Sequence, residues 1–195
     1  MANADGHVVD QERLPADYPT HRHSAVFWEE LGRTLATFGF LEETLGKAIF
    51  ALTATRRYDD ADLASAYENW LPTLEKAVSD PLGRRIDLYG RAMKDHSDLR
   101  FQGHTELVSD LRSASALRNV LCHGSWGVPD NQGRSVPFFV TQKMMIFETS
   151  IDVEYLRQTR SHVVELICEV VSSVTHMGWQ FPGSNSPGEV IMKSA

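Results

Sequence analysis

The chain has 195 residues, 42% of them hydrophobic and 23% charged, with a formal net charge of −7. That is enough apolar material for one domain with a packed core, and it excludes a disordered chain. The acidic balance excludes a broadly basic face that grips nucleic acid without selectivity, and no apolar run approaches the roughly 20 residues of a membrane span.

Residues 1–22 are polar and hold Pro15 and Pro19, the pattern of a flexible arm. They contain no apolar h-region, which predicts a cytoplasmic chain without a signal peptide. His7, His21 and His23 fall here or just beyond, without Cys or Glu at helical metal spacing. No metal site and no cofactor is expected from them.

A first helix is predicted from about Ser24 to Thr53. Trp28, Leu31, Leu35, Phe38, Leu45, Ile49 and Leu52 recur mostly at spacings of three and four, as a helix with one packed face requires. Gly32, Gly39 and Gly46 repeat every seven residues within it, which suggests close approach of a second helix. Glu42 breaks the apolar stripe between Phe38 and Leu45. A carboxylate there either rotates to water at the core's edge or accepts a hydrogen bond from a buried Arg.

Residues 57–80 read as a broken helical region, with Asp59, Asp60 and Asp62 near a helix start and Pro72 opening a new turn or short helix. Another helix is expected over 81–94, then a polar linker over 95–103. Arg84, Arg85, Arg91, Lys94 and Arg100 against Asp87, Asp95 and Asp98 read as a solvated helix face, with a local basic patch as the alternative. The next helix runs from about Thr105 to Cys122 on a stripe of Leu107, Leu111, Ala114, Leu117 and Leu121, and Gly124 suits the position that ends it.

After that the periodicity changes. Asn131-Gln132-Gly133 signals a turn, and residues 136–141 and 144–148 read as two short strands around Gln142-Lys143. Pro137 confines the first to an edge or a strand start. Thr149 or Ser150 can cap a last helix from about Ile151 to Met177, with Leu156, Val163, Ile167, Val171 and Val174 as its stripe. Cys122 and Cys168 lie among apolar helical neighbours and read as free buried thiols. The predicted fold is mainly α: an up-and-down bundle of four to five helices over 23–178, a short β-hairpin at about 135–148 inserted before the last long helix, and a loose tail over 179–195.

The chemistry-bearing cluster is Arg118-Asn119-Val120-Leu121-Cys122-His123-Gly124. Arg118 keeps the register of Leu111, Ala114 and Leu121, so it points toward the packed side and needs a partner, for which Glu42 is the natural carboxylate. His123, five residues on, lies about 140° away around the helix. Histidine exchanges protons near neutral pH and arginine clamps phosphate. Together with Asn119 to orient His123 or a substrate oxygen, they suit metal-free attack of a ribose 2′-hydroxyl on its phosphate. Ser125, His104 or a second His123 from a facing chain would supply the other proton transfer. The same residues also suit a purely structural role, with Arg118 and Asn119 capping and tying loops and His123 satisfied at the core's edge.

The stretch Ala116–Gly124 resembles the terminal helix signature of HEPN-like domains: an Arg, four to six residues, then a His, with a polar residue after the Arg. Arg118, Asn119 and His123 carry the match, with four residues between Arg and His. The resemblance implies an all-helical bundle that dimerises and cuts RNA without a metal, in toxin–antitoxin, defence or RNA-processing settings with an antitoxin or other protein partner. It equally implies the alternative of a non-catalytic structural or interaction module. A third reading is a bundle that binds a small ligand or nucleotide.

Overall fold

The computed structural model describes residues 8–59, 61–97, 99, 103–141 and 143–191. His7, Asp60, Asp98, Arg100 and Gln142 therefore lie outside the described residues, as does part of the expected 95–103 linker. Five α-helices make a mainly-α bundle: α1 Ala25–Ala54, α2 Leu63–Ser79, α3 Leu82–Asp95, α4 His104–His123 and α5 Val153–Thr175.

The 30-residue α1 is the central element and packs against each of the other four helices. Ser24 starts it, its Oγ accepting from the Phe27 amide. Phe38, Leu41, Leu45, Ala48, Ile49 and Leu52 are fully or almost fully buried along it. α5 starts beside it, where Thr34 Oγ1 donates to the Leu156 carbonyl at 3.2 Å. α2 returns antiparallel to α1, with Gly46 against Ala77 and Trp70 Nε1 donating to Thr53 Oγ1. α3 and α4 are likewise antiparallel, with Gly90 facing Val108 and Gly83 facing Ser115.

The glycine repeat serves close approach at one position only. A Cβ on Gly46 would stand 3.1 Å from the Ala77 carbonyl, whereas Gly32 and Gly39 meet nothing within 4 Å. α2 also replaces the expected broken region, because it runs straight through Pro72. The ring removes the bond to the carbonyl of Glu68, but both residues are exposed, so solvent can serve that carbonyl. Asp152 caps α5 in place of Thr149 or Ser150, accepting from the Tyr155 amide at 2.7 Å.

The expected β-hairpin does not form: among the described residues there is no strand, only isolated bridges. The chain does double back, with Val140 opposite Ile146. Yet the backbone groups of this segment are shared among three partners. Ser135 pairs with Ile151, Phe138 with Ser125, and only Phe139 to Thr141 with 145–147. Pro137 has no amide to offer and Met144 sits at a φ of 60°, so no ladder propagates. Upstream, Asp130 anchors the turn, its Oδ1 accepting from the amides of Gln132 and Arg134, with Gly133 at a φ of 76°. The thiols of Cys122 and Cys168 are free but exposed rather than buried, each one position off its helix's packed stripe.

Candidate active site

The site is built where the C-terminal half of α4 crosses the middle of α1. Leu111, Ala114 and Leu121 bury one side of α4, and Arg118 follows their register. Its Nη2 lies 3.4 Å from Glu42 Oε1, with the two side chains 31% and 22% exposed. Glu42 thus does both things its position in the stripe allowed: it reaches the edge of the core, and it pairs with an arginine. The Glu42 backbone carbonyl meanwhile accepts from Arg85 Nη1 at 3.1 Å. Arg85 also donates to the carbonyls of Asp80 and Val78. It therefore ties the C-terminus of α2 to α1, where cationic donors are favoured.

Asn119 is exposed, and its Oδ1 accepts from Arg118 Nη1 at 3.5 Å. Its side-chain contact is to Arg118 and not to His123. His123 closes α4 as its last residue; its ring is exposed and takes no hydrogen bond or ion pair among the described residues. The chain just beyond is held firmly. Ser125 exchanges two backbone hydrogen bonds with Phe138, at 3.0 and 2.8 Å, and its side chain stands exposed two residues past His123.

Gly124 ends α4 differently from the expectation. It has a φ of −69°, so a left-handed cap is not its purpose. A Cβ there would lie 2.6 Å from the Val120 carbonyl and 2.8 Å from Pro137 Cβ. Only glycine lets the 135–138 segment close over the helix end.

His104 is not part of this cluster. It begins α4 whereas His123 ends it, so the 20-residue helix separates them by roughly 28 Å at about 1.5 Å per residue. Arg118 touches both Glu42 and Asn119, and His123 and Ser125 follow within about two turns of chain at the end of α4; His104 lines a separate groove between α3 and α4.

Three features escaped the sequence reading. First, Glu30 is buried on α1 and faces two arginines of α5, with Arg157 Nε at 3.1 Å and Arg160 Nη1 at 2.9 Å. The Arg160 contact is an ion pair without hydrogen-bond alignment, since Glu30 Oε2 has no hydrogen-bond partner. The 127-residue separation from Arg157 hides this pairing from any local pattern. Second, His23 is packed by Phe27, Trp28 and Trp126, and its Nε2 lies 2.8 Å from Ser135 Oγ. Burial pushes its pKa below the ordinary histidine value. His21 instead stacks on Tyr18, and no group of three potential metal-ligating side chains exists among the described residues. Third, Phe138, which pairs with Ser125 just past the end of α4, is 66% exposed, and Met144 and Met145 on the same loop are 81% and 64% exposed.

No described helix is long and apolar enough to cross a membrane. No family model, curated protein or solved structure matches the chain.

Proposed function

We propose that this protein is a HEPN-like domain that works as a homodimer and cleaves RNA without a metal, in a defence, toxin–antitoxin or RNA-processing role. One observation carries the reading. His123 stands exposed and unpartnered at the end of α4, while Arg118, one and a half turns earlier, is tethered by Glu42 at 3.4 Å. A free imidazole and a positioned guanidinium within the last two turns of one helix are the minimum set for moving a proton and neutralising a phosphate.

In this mechanism His123 accepts the proton of a ribose 2′-hydroxyl. The freed oxygen bonds to the adjacent phosphorus, and the bond from phosphorus to the 5′-oxygen breaks. The products are a 2′,3′-cyclic phosphate and a 5′-hydroxyl, whose proton comes from a second group. Within one chain Ser125, two residues on, is the candidate; across a dimer it is the second His123. Arg118 and Asn119 hold the phosphate oxygens. The C-terminal end of a helix repels anions, so these side chains, not the helix, must supply the attraction.

Incubation of the pure protein with single-stranded RNAs in EDTA tests the proposal. Cleavage is expected, and His123→Ala is expected to abolish it with unchanged circular dichroism. Equal cleavage by wild type and His123→Ala would reject the mechanism.

The second reading is a non-catalytic module for protein interaction, and a specific observation favours it. Phe138, Met144, Met145 and Ile146 form an exposed apolar run on one loop, the kind of surface that a second copy or a partner such as an antitoxin covers. Sedimentation separates the arms: a monomer without nuclease activity that captures a defined partner through this loop favours the module.

A further inference from the structure

The groove between α3 and α4 lies well away from His123, and its lining is cationic. From α3 it takes Asp87, Arg91 and Lys94; from α4 it takes His104 and Arg112. On each helix these residues recur at spacings of three, four or eight, which places them along one face. Its floor is low because Gly90 packs on Val108, where a Cβ would already be 3.3 Å from Val108 Cγ2. The open volume is about 440 Å³, larger than one phosphate group.

Three fixed cations thus face one carboxylate in a chain whose net charge is −7. Asp87 is committed to Arg112, at 2.8 Å from its Nη2, and orients that guanidinium across the groove. Arg91 and Lys94 have no ion-pair partner among the described residues, although both are exposed. The first turn of α4 opens beside them. Among the described residues no side chain caps it, Gly103 being its cap, and Glu106 is the acidic residue of that turn, so the leading amides of α4 can still face an anion. The Thr105 hydroxyl also lines the groove.

We propose that this groove is a phosphate-binding site, taking either a free phosphoryl group or the phosphodiester backbone of a single-stranded RNA. Arginine forks bind phosphate oxygens in pairs, lysine adds a point charge, and the α4 amides and Thr105 hydroxyl add neutral donors. The assignment does not depend on cleavage at His123, and it gives His104 a role in binding at the opposite end of α4 from His123 of the same chain.

The test uses the full chain, its Arg91→Ala/Lys94→Ala variant, inorganic phosphate, and a 2′-O-methyl single-stranded RNA that cannot be cut by 2′-hydroxyl attack. Phosphate is expected to shift the amide resonances of His104, Thr105 and Glu106 in the wild type and to lose at least tenfold in affinity in the variant. If the RNA backbone is the source, anisotropy with the methylated RNA falls in parallel. Its salt dependence then becomes shallower by about 1.4, two contacts at about 0.7 each. Phosphate binding with no RNA binding keeps the site and assigns it to a free phosphoryl group. Absence of phosphate-induced shifts in the wild type, or shifts of equal affinity in the variant, would overturn the proposal. Both substitutions are at exposed positions, and unchanged amide dispersion verifies the variant's fold.

Discussion

Arg118 of α4 and Glu42 of α1 stand 3.4 Å apart, each mostly withdrawn from solvent, so one guanidinium belongs to both the bundle's packing and its candidate chemistry. Partial exposure and a long contact limit the pair to about 1 kcal/mol. Arg118→Ala and Glu42→Gln are each expected to lower stability by about that amount and to leave a folded bundle. A double-mutant cycle by urea unfolding should return a coupling of about 0.5–1 kcal/mol. A coupling near zero would mean that the two residues act separately. His123→Ala, at an exposed position without partners, should change stability by less than about 0.5 kcal/mol. The two variants therefore separate support from proton transfer.

The glycines give the sharpest stability contrast. Gly124→Ala would press a methyl against the Val120 carbonyl and Pro137, at a cost of about 1–3 kcal/mol, and would lift the 135–138 segment from the end of α4. Gly32→Ala and Gly39→Ala meet open space and should each stabilise α1 by about 0.5–1 kcal/mol. Gly46→Ala meets a backbone carbonyl at 3.1 Å, so the contact with Ala77 should cancel its helical gain. Thermal unfolding of the four single variants decides the order.

These glycines also show what the sequence could and could not disclose. Periodicity located α1, α4 and α5 because their apolar faces repeat on a single helix. It also marked Glu42 and Arg118 as interruptions of two such faces, and their contact follows from that. The heptad of glycines was visible, but which one faces a neighbour depends on where α2 lies. Two strand-favouring runs, 136–141 and 144–148, suggested a hairpin, since composition records strand preference and not competition for hydrogen bonds. There Ser125 and Ile151 take the backbone groups that a ladder would need. The basic groove was half visible: Arg91 and Lys94 stood in a charged stretch of α3. Arg112 and His104 join them only through antiparallel packing.

His23 should make stability depend on pH. Its folded pKa lies below the ordinary value of 6.5 because burial disfavours the charged ring. The unfolded chain therefore binds the proton more readily. This contribution is fully present above about pH 6.5 and is lost as pH falls toward the folded value. His23→Gln cannot titrate, so its stability should change less than that of wild type between pH 7.5 and 5.5. Denaturant midpoints at the two pH values measure this, and identical changes in both proteins would remove His23 as the source.

Tyr89 and Ser173 offer a test of buried hydrogen bonding that does not involve the candidate sites. Tyr89 is wholly buried on α3 and its hydroxyl donates to Ser173 Oγ at 2.8 Å. Ser173 in turn donates to the Val170 carbonyl at 2.7 Å. Burial holds the phenol far above its ordinary pKa, so it remains a donor at any working pH. Tyr89→Phe leaves Ser173 still donating to Val170 and should cost about 1 kcal/mol. Ser173→Ala strands the phenol's donor in the core and should cost more, about 1–3 kcal/mol. The double variant removes donor and acceptor together, so it should be no less stable than Ser173→Ala alone. Unfolding free energies that place Tyr89→Phe below Ser173→Ala would show that packing at Tyr89, not the hydrogen bond, dominates this joint between α3 and α5.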